Sequence, residues 1–192
     1  MKRFLSRHLH GIQKRWWAAS FWLQCTGGRV HKEGRLWLHA PLLCDGAGRV
    51  SLGADISVGF YPAPLMGDGA VRLQARGPEA VVAVGEGTSF SNNVQVIAEK
   101  SVSIGRRCLI GDAVLIFDSD FHHLSAEGRH TLPGAAAPVV LEDNVFVGSR
   151  AIILKGVTIG KDSVIGAGSV VVRSIPPGVI AAGNPAKVIR PL

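Results

Sequence analysis

The segment Asp118-Ser119-Asp120-Phe121-His122-His123 holds two imidazoles next to two carboxylates. An imidazole can take up and return a proton, and a carboxylate beside it can hold the ring in one tautomer. His130 follows in the same part of the chain. Histidines also occur in solvated loops, where aspartate is a frequent turn residue. Whether this segment does proton chemistry therefore depends on the elements that hold it.

A repeat of six residues begins after that segment and runs from Leu141 to Ile175. Every sixth residue is a branched aliphatic, and the position four residues later is small or branched. The aliphatic column holds Leu141, Val147, Ile153, Ile159, Ile165 and Val171. The second column holds Val145, Ala151, Val157, Ser163, Ser169 and Ile175. A fixed period of six is typical of a parallel β-helix, in which each hexad is one face of a triangular coil.

The repeat predicts side-chain directions. We expect the aliphatic column to point into the coil and to stack on equivalent residues one turn above and below. Gly148, Gly160 and Gly166 directly follow aliphatic positions. We expect them to serve turns that need a permissive backbone.

The same register appears less cleanly nearer the N-terminus. Its apolar column passes through Val84, Phe90, Val96, Ile104, Ile110 and Ile116. The count between Val96 and Ile104 is eight, which predicts a slip or bulge there. Residues 117–140 have no apolar period and contain several glycines and prolines. They predict a long loop that leaves the coil, of a kind that is usually functional or disordered.

Composition fits one domain. The chain has 192 residues, 24 glycines and few aromatic residues, which suits a coil with many corners. Cys25, Cys44 and Cys108 lack the spacing of metal ligands and are expected to be reduced thiols in a cytoplasmic protein. The formal net charge is +7, but no nucleic-acid-binding motif accompanies it. We therefore expect no nucleic-acid partner and no metal site.

Residues 1–25 differ from the rest because basic residues alternate with tryptophans and other apolar residues. They contain no uninterrupted apolar run of the kind found in a signal peptide or a membrane span. Two interpretations stay open: an arm or short helix packed on the coil, or a segment that lies at a membrane surface. We divide the chain into this N-terminal segment, 1–30, and a β-helix domain, 31–192, with a loop at 117–140 and a tail at 174–192.

From Val50 onward the chain resembles the hexapeptide-repeat acyltransferases. Their fold is an all-β, left-handed parallel β-helix. The C-terminal half looks most like the branch that contains the maltose, galactoside and nodulation-factor O-acetyltransferases and the acetyltransferases of polysaccharide biosynthesis. The resemblance rests on DNVFVGS at 143–149, GVTIG at 156–160, IGAGS at 165–169 and the tail IPPGVIAAGNPAKVI at 175–189.

This resemblance implies a catalytic base. His122 matches the family's catalytic histidine best, with His123 as the alternative, and would take the proton from a sugar hydroxyl. Asp118 or Asp120 would hold the ring of that histidine in the correct tautomer.

The resemblance also implies an acceptor residue and an acetyl-CoA site. Asn92 matches the family asparagine that faces the acceptor, with Asn93 as the alternative. The backbone amide of Ser149 would stabilise the thioester oxygen as negative charge develops. The remaining acetyl-CoA residues implied by the match are Phe146, Gly148, Ala167, Arg173 and Lys187.

The function implied by the resemblance is direct acetyl transfer from acetyl-CoA to a sugar hydroxyl, in cell-surface polysaccharide or glycolipid synthesis. The enzyme would be a cytoplasmic homotrimer with its sites between subunits, and it would work at the inner face of the membrane if residues 1–25 bind lipid. N-acetylation of an amino sugar and a non-catalytic β-helix scaffold stay open. A zinc-dependent carbonic anhydrase of the same fold is disfavoured, since the chain has no two histidines five residues apart.

Overall fold

The computed structural model describes residues 15–60 and 68–192. Within them, short strands form three sheets. Sheet A consists of β1 (Val30–Lys32), β4 (Arg49–Leu52), β7 (Val81–Val84), β10 (Ser101–Ile104), β13 (Val139–Leu141) and β16 (Thr158–Ile159). Sheet B consists of β2 (Leu36–Leu38), β5 (Ile56–Val58), β8 (Ser89–Phe90), β11 (Leu109–Ile110), β14 (Phe146–Val147), β17 (Val164–Ile165), β19 (Val179–Gly183) and β20 (Ala186–Pro191). Sheet C consists of β3 (Leu42–Asp45), β6 (Val71–Ala75), β9 (Gln95–Ala98), β12 (Leu115–Phe117), β15 (Ile152–Ile153) and β18 (Val170–Val171).

The chain passes from sheet A to B to C and returns to A, so three successive strands make one coil. Each strand pairs in parallel with its equivalent in the next coil, and the antiparallel pair β19–β20 closes the C-terminal end. The predicted parallel β-helix is confirmed. Its three corners are named below by the sheets that they join: A–B, B–C and C–A.

The core is the interior of this prism. Both columns of the repeat are buried, and none of their twelve side chains is more than 5% exposed. Leu141 lies in register between Ile104 and Ile159, one coil to either side. Burying a branched aliphatic side chain contributes about 1.5–3 kcal/mol. Each coil depends on its neighbours for that burial, so the prism is stable only as a stack.

The glycines that follow aliphatic positions are needed for a different reason than the one predicted. Gly148, Gly160 and Gly166 do not have positive φ, so the expectation of a permissive turn was wrong. A Cβ at Gly148 would lie 2.6 Å from the amide nitrogen of Ala167 in the next coil. These glycines therefore permit close stacking of the coils. Positive φ occurs instead at other corner residues, including Asn144 and Arg150.

The eight-residue count between Val96 and Ile104 is a widened corner. The predicted slip or bulge was wrong, because the ladders of β9 and β10 stay in register with both neighbouring coils. The two additional residues, Glu99 and Lys100, extend the C–A corner. Their amides donate hydrogen bonds of 2.7 Å to the two carboxylate oxygens of Asp118. Asp118 is fully buried and closes this corner.

A helix over residues 15–25 covers the N-terminal end of the coil. Phe21 is 4% exposed and belongs to the core. The side-chain amide of Gln24 donates to the carbonyl of Leu42 at 3.2 Å and accepts from the amide of Cys44 at 2.6 Å. Gln24 thus satisfies the free edge of β3. Residues 1–14 of the predicted N-terminal segment lie outside the described residues.

No helix in residues 15–60 and 68–192 is both long enough and apolar enough to cross a bilayer.

Candidate functional site

The segment between β12 and β13 is a two-stranded arm at the C–A corner. Ser119 and His122 form antiparallel bridges with Ala136 and Pro133 on the returning strand. The amide of Asp120 donates to the carbonyl of Ala135 at 3.0 Å. The arm therefore has an internal hydrogen-bond pattern that fixes its two strands against each other.

The backbone of His122 is confined by its neighbours. A Cβ at Gly134 would lie 2.7 Å from the amide nitrogens of both Phe121 and His122, so only glycine fits on the returning strand. Phe121 has φ of 60°, an unusual conformation for a residue with a side chain. Its ring packs edge-to-face on Phe117, with 5.6 Å between centroids, and the guanidinium of Arg76 lies 4.3 Å from its centroid.

The ring of His122 is exposed and has a defined orientation. Nδ1 lies 3.4 Å from the carbonyl oxygen of Arg129, a long hydrogen bond in which Nδ1–H would be the donor. In that tautomer the lone pair belongs to Nε2. Nε2 makes no hydrogen bond to the described part of the chain. The ring can therefore accept a proton from a molecule that approaches the arm.

The two predicted orienting carboxylates are engaged elsewhere. Asp118 closes the widened corner, as described above. Asp120 forms an ion pair with Lys155, with 2.9 Å between Oδ1 and Nζ. Its other oxygen is buried without a partner among the described residues. The backbone carbonyl of Arg129 occupies the position at the His122 ring that a carboxylate was expected to fill.

His123 is held inside the arm. Its Nδ1 accepts a hydrogen bond from the amide of Ser125 at 3.2 Å and lies 2.9 Å from the Ser125 hydroxyl. A Cβ at Gly128 would lie 2.8 Å from the same nitrogen, so a side chain at position 128 would displace this ring. His123 has a structural role in the arm.

Asn92 lies at the B–C corner, between β8 and β9. Its side chain accepts from the amide of Phe60 and donates to the carbonyl of Phe60, both at 3.1 Å. The Asn93 side chain donates to Asp112 at 2.8 Å, and its backbone has φ of 63°. Asn92 therefore holds the backbone of Phe60, two residues after β5. Asn92 is 1% exposed.

Asn92 and His122 are on opposite edges of sheet C. Asn92 precedes β9, whereas His122 follows β12, the next strand of the same sheet. With a rise of about 3.3 Å per residue, these edges are on the order of 15 Å apart. A single chain does not bring the two side chains together.

The predicted acetyl-CoA residues fall partly on one surface. Ser149 and Ala167 are exposed at the B–C corner in adjacent coils, and within the described residues their backbone amides donate to no protein acceptor. A Cβ at Gly111 would lie 2.6 Å from the amide nitrogen of Ser149. Gly148 precedes Ser149 directly, and Phe146 is 44% exposed on the outer face of sheet B.

The two predicted cations are separated. Lys187 lies on β20, opposite Ala182 of β19, so it belongs to the same sheet as Phe146. Arg173 follows β18 and therefore lies at the C–A corner, on the same edge as the arm. Both side chains are exposed. In one chain, the amides of Ser149 and Ala167 therefore lie at the B–C corner, whereas the imidazole of His122 and the side chain of Arg173 lie at the C–A corner.

Comparison with known proteins finds relatives that are named acetyltransferases and solved structures with a similar fold. A family model described as the hexapeptide repeat of succinyl-transferase matches residues 138–173. Galactoside O-acetyltransferase of Escherichia coli is 41% identical over 98 residues, which are 51% of this chain and 48% of the relative. A putative acetyltransferase of Saccharomyces cerevisiae is 41% identical over 56% of this chain and 54% of the relative.

A solved structure extends the match to nearly the whole chain. It is the hexapeptide-repeat-containing acetyltransferase of Vibrio cholerae in complex with acetyl-coenzyme A. It is 26% identical, covers 91% of this chain and 77% of its own, and has a TM-score of 0.62. This chain is similar to the hexapeptide-repeat acetyltransferases in sequence and in fold. Its coil is a left-handed β-helix, like the coils of those structures. The chain spans about half the length of the curated relatives it matches.

Several residues at the candidate site were not found from the sequence. Gly134, Arg129 and Arg76 position His122 or its neighbour Phe121, and Lys155 pairs with Asp120. Their contacts cross between coils or between the two strands of the arm. The Pro133-Gly134 pair is a turn signal that could have marked the return of the arm.

The cysteines are free thiols, as predicted. Cys108 is fully buried at the A–B corner, and its Sγ lies 3.2 Å from the carbonyl of Glu142. Burial raises the pKa of the Cys108 thiol, so the nucleophilic thiolate is disfavoured. Burial likewise raises the pKa of Cys44.

An exposed ion pair stabilises the same corner from outside. The guanidinium of Arg106 binds the carboxylate of Asp143, with 2.7 Å between Nη2 and Oδ2. Hydrogen bonds from this side chain and from the Arg106 amide lower the pKa of Asp143. The pair joins consecutive coils on the outside of the prism.

Proposed function

We propose that this protein is a cytoplasmic, acetyl-CoA-dependent O-acetyltransferase that modifies a sugar hydroxyl during synthesis of a cell-surface polysaccharide or glycolipid. The observation that carries the proposal is the pair of unpartnered amides at Ser149 and Ala167. They offer two adjacent donors to an extended, carbonyl-rich ligand such as the pantetheine arm of coenzyme A. The named activities of the relatives and the bound acetyl-coenzyme A in the Vibrio cholerae structure support the same donor.

The proposed reaction is direct transfer. Nε2 of His122 accepts the proton of the acceptor hydroxyl as its oxygen attacks the thioester carbonyl carbon. The amide of Ser149 donates a hydrogen bond to the oxygen on which negative charge develops, an interaction that can lower the barrier by about 3 kcal/mol. Collapse of the tetrahedral intermediate breaks the carbon–sulfur bond. The imidazolium then returns the proton to the departing thiolate, which gives the acetyl ester and coenzyme A.

We propose that the active enzyme is a homotrimer. The imidazole and the free amides are on different edges of one chain, so the reaction needs a second copy whose B–C edge faces the arm. A cyclic arrangement repeats the same heterologous contact around a closed ring and yields equivalent sites. In such an assembly Asn92 would support the wall of the acceptor site by holding Phe60, rather than by touching the sugar with its amide.

The test is acetyl-CoA-dependent thiol release by the purified protein with a panel of sugars, nucleotide sugars and amino sugars. His122→Ala should lower acceptor-dependent kcat/KM by about 100-fold or more. His130→Ala, which removes another exposed imidazole of the same arm, should keep wild-type activity. Release with amino sugars alone would favour N-acetylation. Absence of both release and acetyl-CoA binding would refute the enzyme and favour a scaffold.

A further inference from the structure

The helix over residues 15–25 has apolar side chains on both faces. Its inner face places Phe21 in the core. Its outer face carries Trp16, Trp22 and Leu23, which are 73%, 67% and 67% exposed. A helix on the surface of a globular protein normally presents charged and polar residues to water. Large exposed apolar patches usually mark an interaction site.

The patch continues onto the first coil. Trp37 on β2 is 52% exposed, and it lines the same cavity of about 320 Å³ as Trp22. Lys32 and Arg35 border this cavity. Aromatic rings and basic side chains therefore share one surface at the N-terminal end of the prism, which we call the tryptophan surface: Trp16, Trp22, Leu23, Lys32, Arg35 and Trp37.

The positive charge of the chain is concentrated in the N-terminal part of the sequence. Residues 1–32 contain seven lysines and arginines and no acidic residue, since Glu33 is the first carboxylate of the sequence. Residues 33–192 contain fourteen basic and fourteen acidic residues. The whole formal charge of +7 therefore belongs to the first 32 residues. Residues 33–192, which carry the candidate site, are formally neutral.

We propose that the tryptophan surface binds the surface of an anionic phospholipid bilayer. Tryptophan prefers the boundary between acyl chains and head groups, and basic residues beside it are attracted to anionic lipids. The same surface of a second copy is a poorer occupant, because a two-fold contact would bring two equally positive surfaces together. Binding at a bilayer would place the arm near acceptors that are linked to lipid. The proposal concerns binding and does not depend on acetyl transfer.

The test is co-sedimentation of the full-length protein with vesicles of phosphatidylcholine alone or with 30% phosphatidylglycerol. We expect binding to the anionic vesicles, little binding to the neutral ones, and a loss of binding at about 1 M salt, where the Debye length is about 3 Å. Equal partition into both kinds of vesicle, or no binding to either, would overturn the proposal.

Variants separate the aromatic and the basic contributions. Lys32→Ala with Arg35→Ala should weaken partition about 30-fold, since each basic residue contributes about 1 kcal/mol at an anionic surface. Trp16→Ala with Trp22→Ala should weaken it at least as much. The matched controls are Ile189→Ala and Arg190→Ala, which remove an exposed aliphatic and an exposed cation from the opposite end of the prism.

Sedimentation velocity of the tryptophan variant distinguishes the rival occupant. We expect the tryptophan variant to have the same molecular mass in solution as the wild type. We also expect it to transfer acetyl groups to a soluble acceptor at the wild-type rate. If the variant loses its oligomeric state and keeps its vesicle binding, the surface is a contact between copies and the proposal is wrong.

Discussion

Gly134→Ala tests whether the arm positions the imidazole of His122, the proposed catalytic base, through its backbone. The new Cβ would lie 2.7 Å from the amide nitrogens of Phe121 and His122 and 2.9 Å from the carbonyl oxygen of His122. Ordinary van der Waals contact begins near 3.4 Å, so the strand that carries His122 must retreat by about 0.7 Å, the difference between 3.4 and 2.7. Backbone atoms on both sides of the contact leave no flexible side chain to absorb this shift.

The size of the effect follows from this displacement. A misplacement of about 1 Å at a reacting group can lower the rate about 100-fold. A retreat of about 0.7 Å should therefore lower kcat on the order of 10- to 100-fold. The KM for acetyl-CoA should change little, because Ser149 and Ala167 are on the opposite edge of sheet C. The arm lies outside the prism, so the melting temperature should stay close to that of the wild type.

The assay is steady-state thiol release at saturating acceptor, with thermal unfolding measured on the same preparations. Gly27→Ala is the matched control, since a Cβ there would meet no atom within 4 Å. Wild-type kcat in Gly134→Ala would refute the reasoning, as would a fall in melting temperature that accounts for the lost activity. A large rise in the KM for acetyl-CoA with unchanged kcat would place the role of Gly134 in donor binding instead.

Three further predictions concern the corners. Asp118→Ala removes two charge-assisted hydrogen bonds from a buried corner and should lower the free energy of unfolding by about 3 kcal/mol, measured by urea denaturation. Arg106→Ala should return the pKa of Asp143 toward its usual value. Because the pKa of Asp143 is lower in the folded state than in the unfolded state, the ion pair stabilises the fold at a pH above the unfolded pKa. This stabilisation is lost as the pH falls through the folded pKa. The variant lacks it, so its acid unfolding should occur at a higher pH than that of the wild type. Cys108→Ala should keep kcat within a few-fold, and a large loss would indicate a covalent acyl-enzyme.

The parts of the fold that repeat could be predicted from the sequence. Leu141 and its equivalents are inward because a six-residue period requires one face per hexad, and the structure buries all of them. The roles of the intervening glycines could not be predicted, because they depend on the backbone of the next coil. Gly148 meets Ala167, which is nineteen residues away in sequence and stacked directly on it in space.

The candidate site was predicted less completely for a related reason. His122 and Ser149 occur in recognisable motifs, but the partners of the carboxylates do not. Asp118 binds the amides of Glu99 and Lys100, two residues that the repeat marks only by an irregular count. A motif identifies residue types along the chain, whereas a hydrogen bond between coils depends on the lengths of all the corners between its partners.

At each end of the prism, one strand edge is covered by another part of the chain. A parallel β-helix offers unpaired N–H and C=O groups at its first and last strands, and such edges can pair with other chains into fibres. At one end, the Gln24 side chain fills hydrogen-bonding positions on β3. At the other, β20 folds back antiparallel on β19 and presents Lys187, Arg190 and Pro191 to solvent. If the Gln24 side chain or β20 were removed, the strand edge that it covers should become free to pair with another copy, and the protein should polymerise end to end.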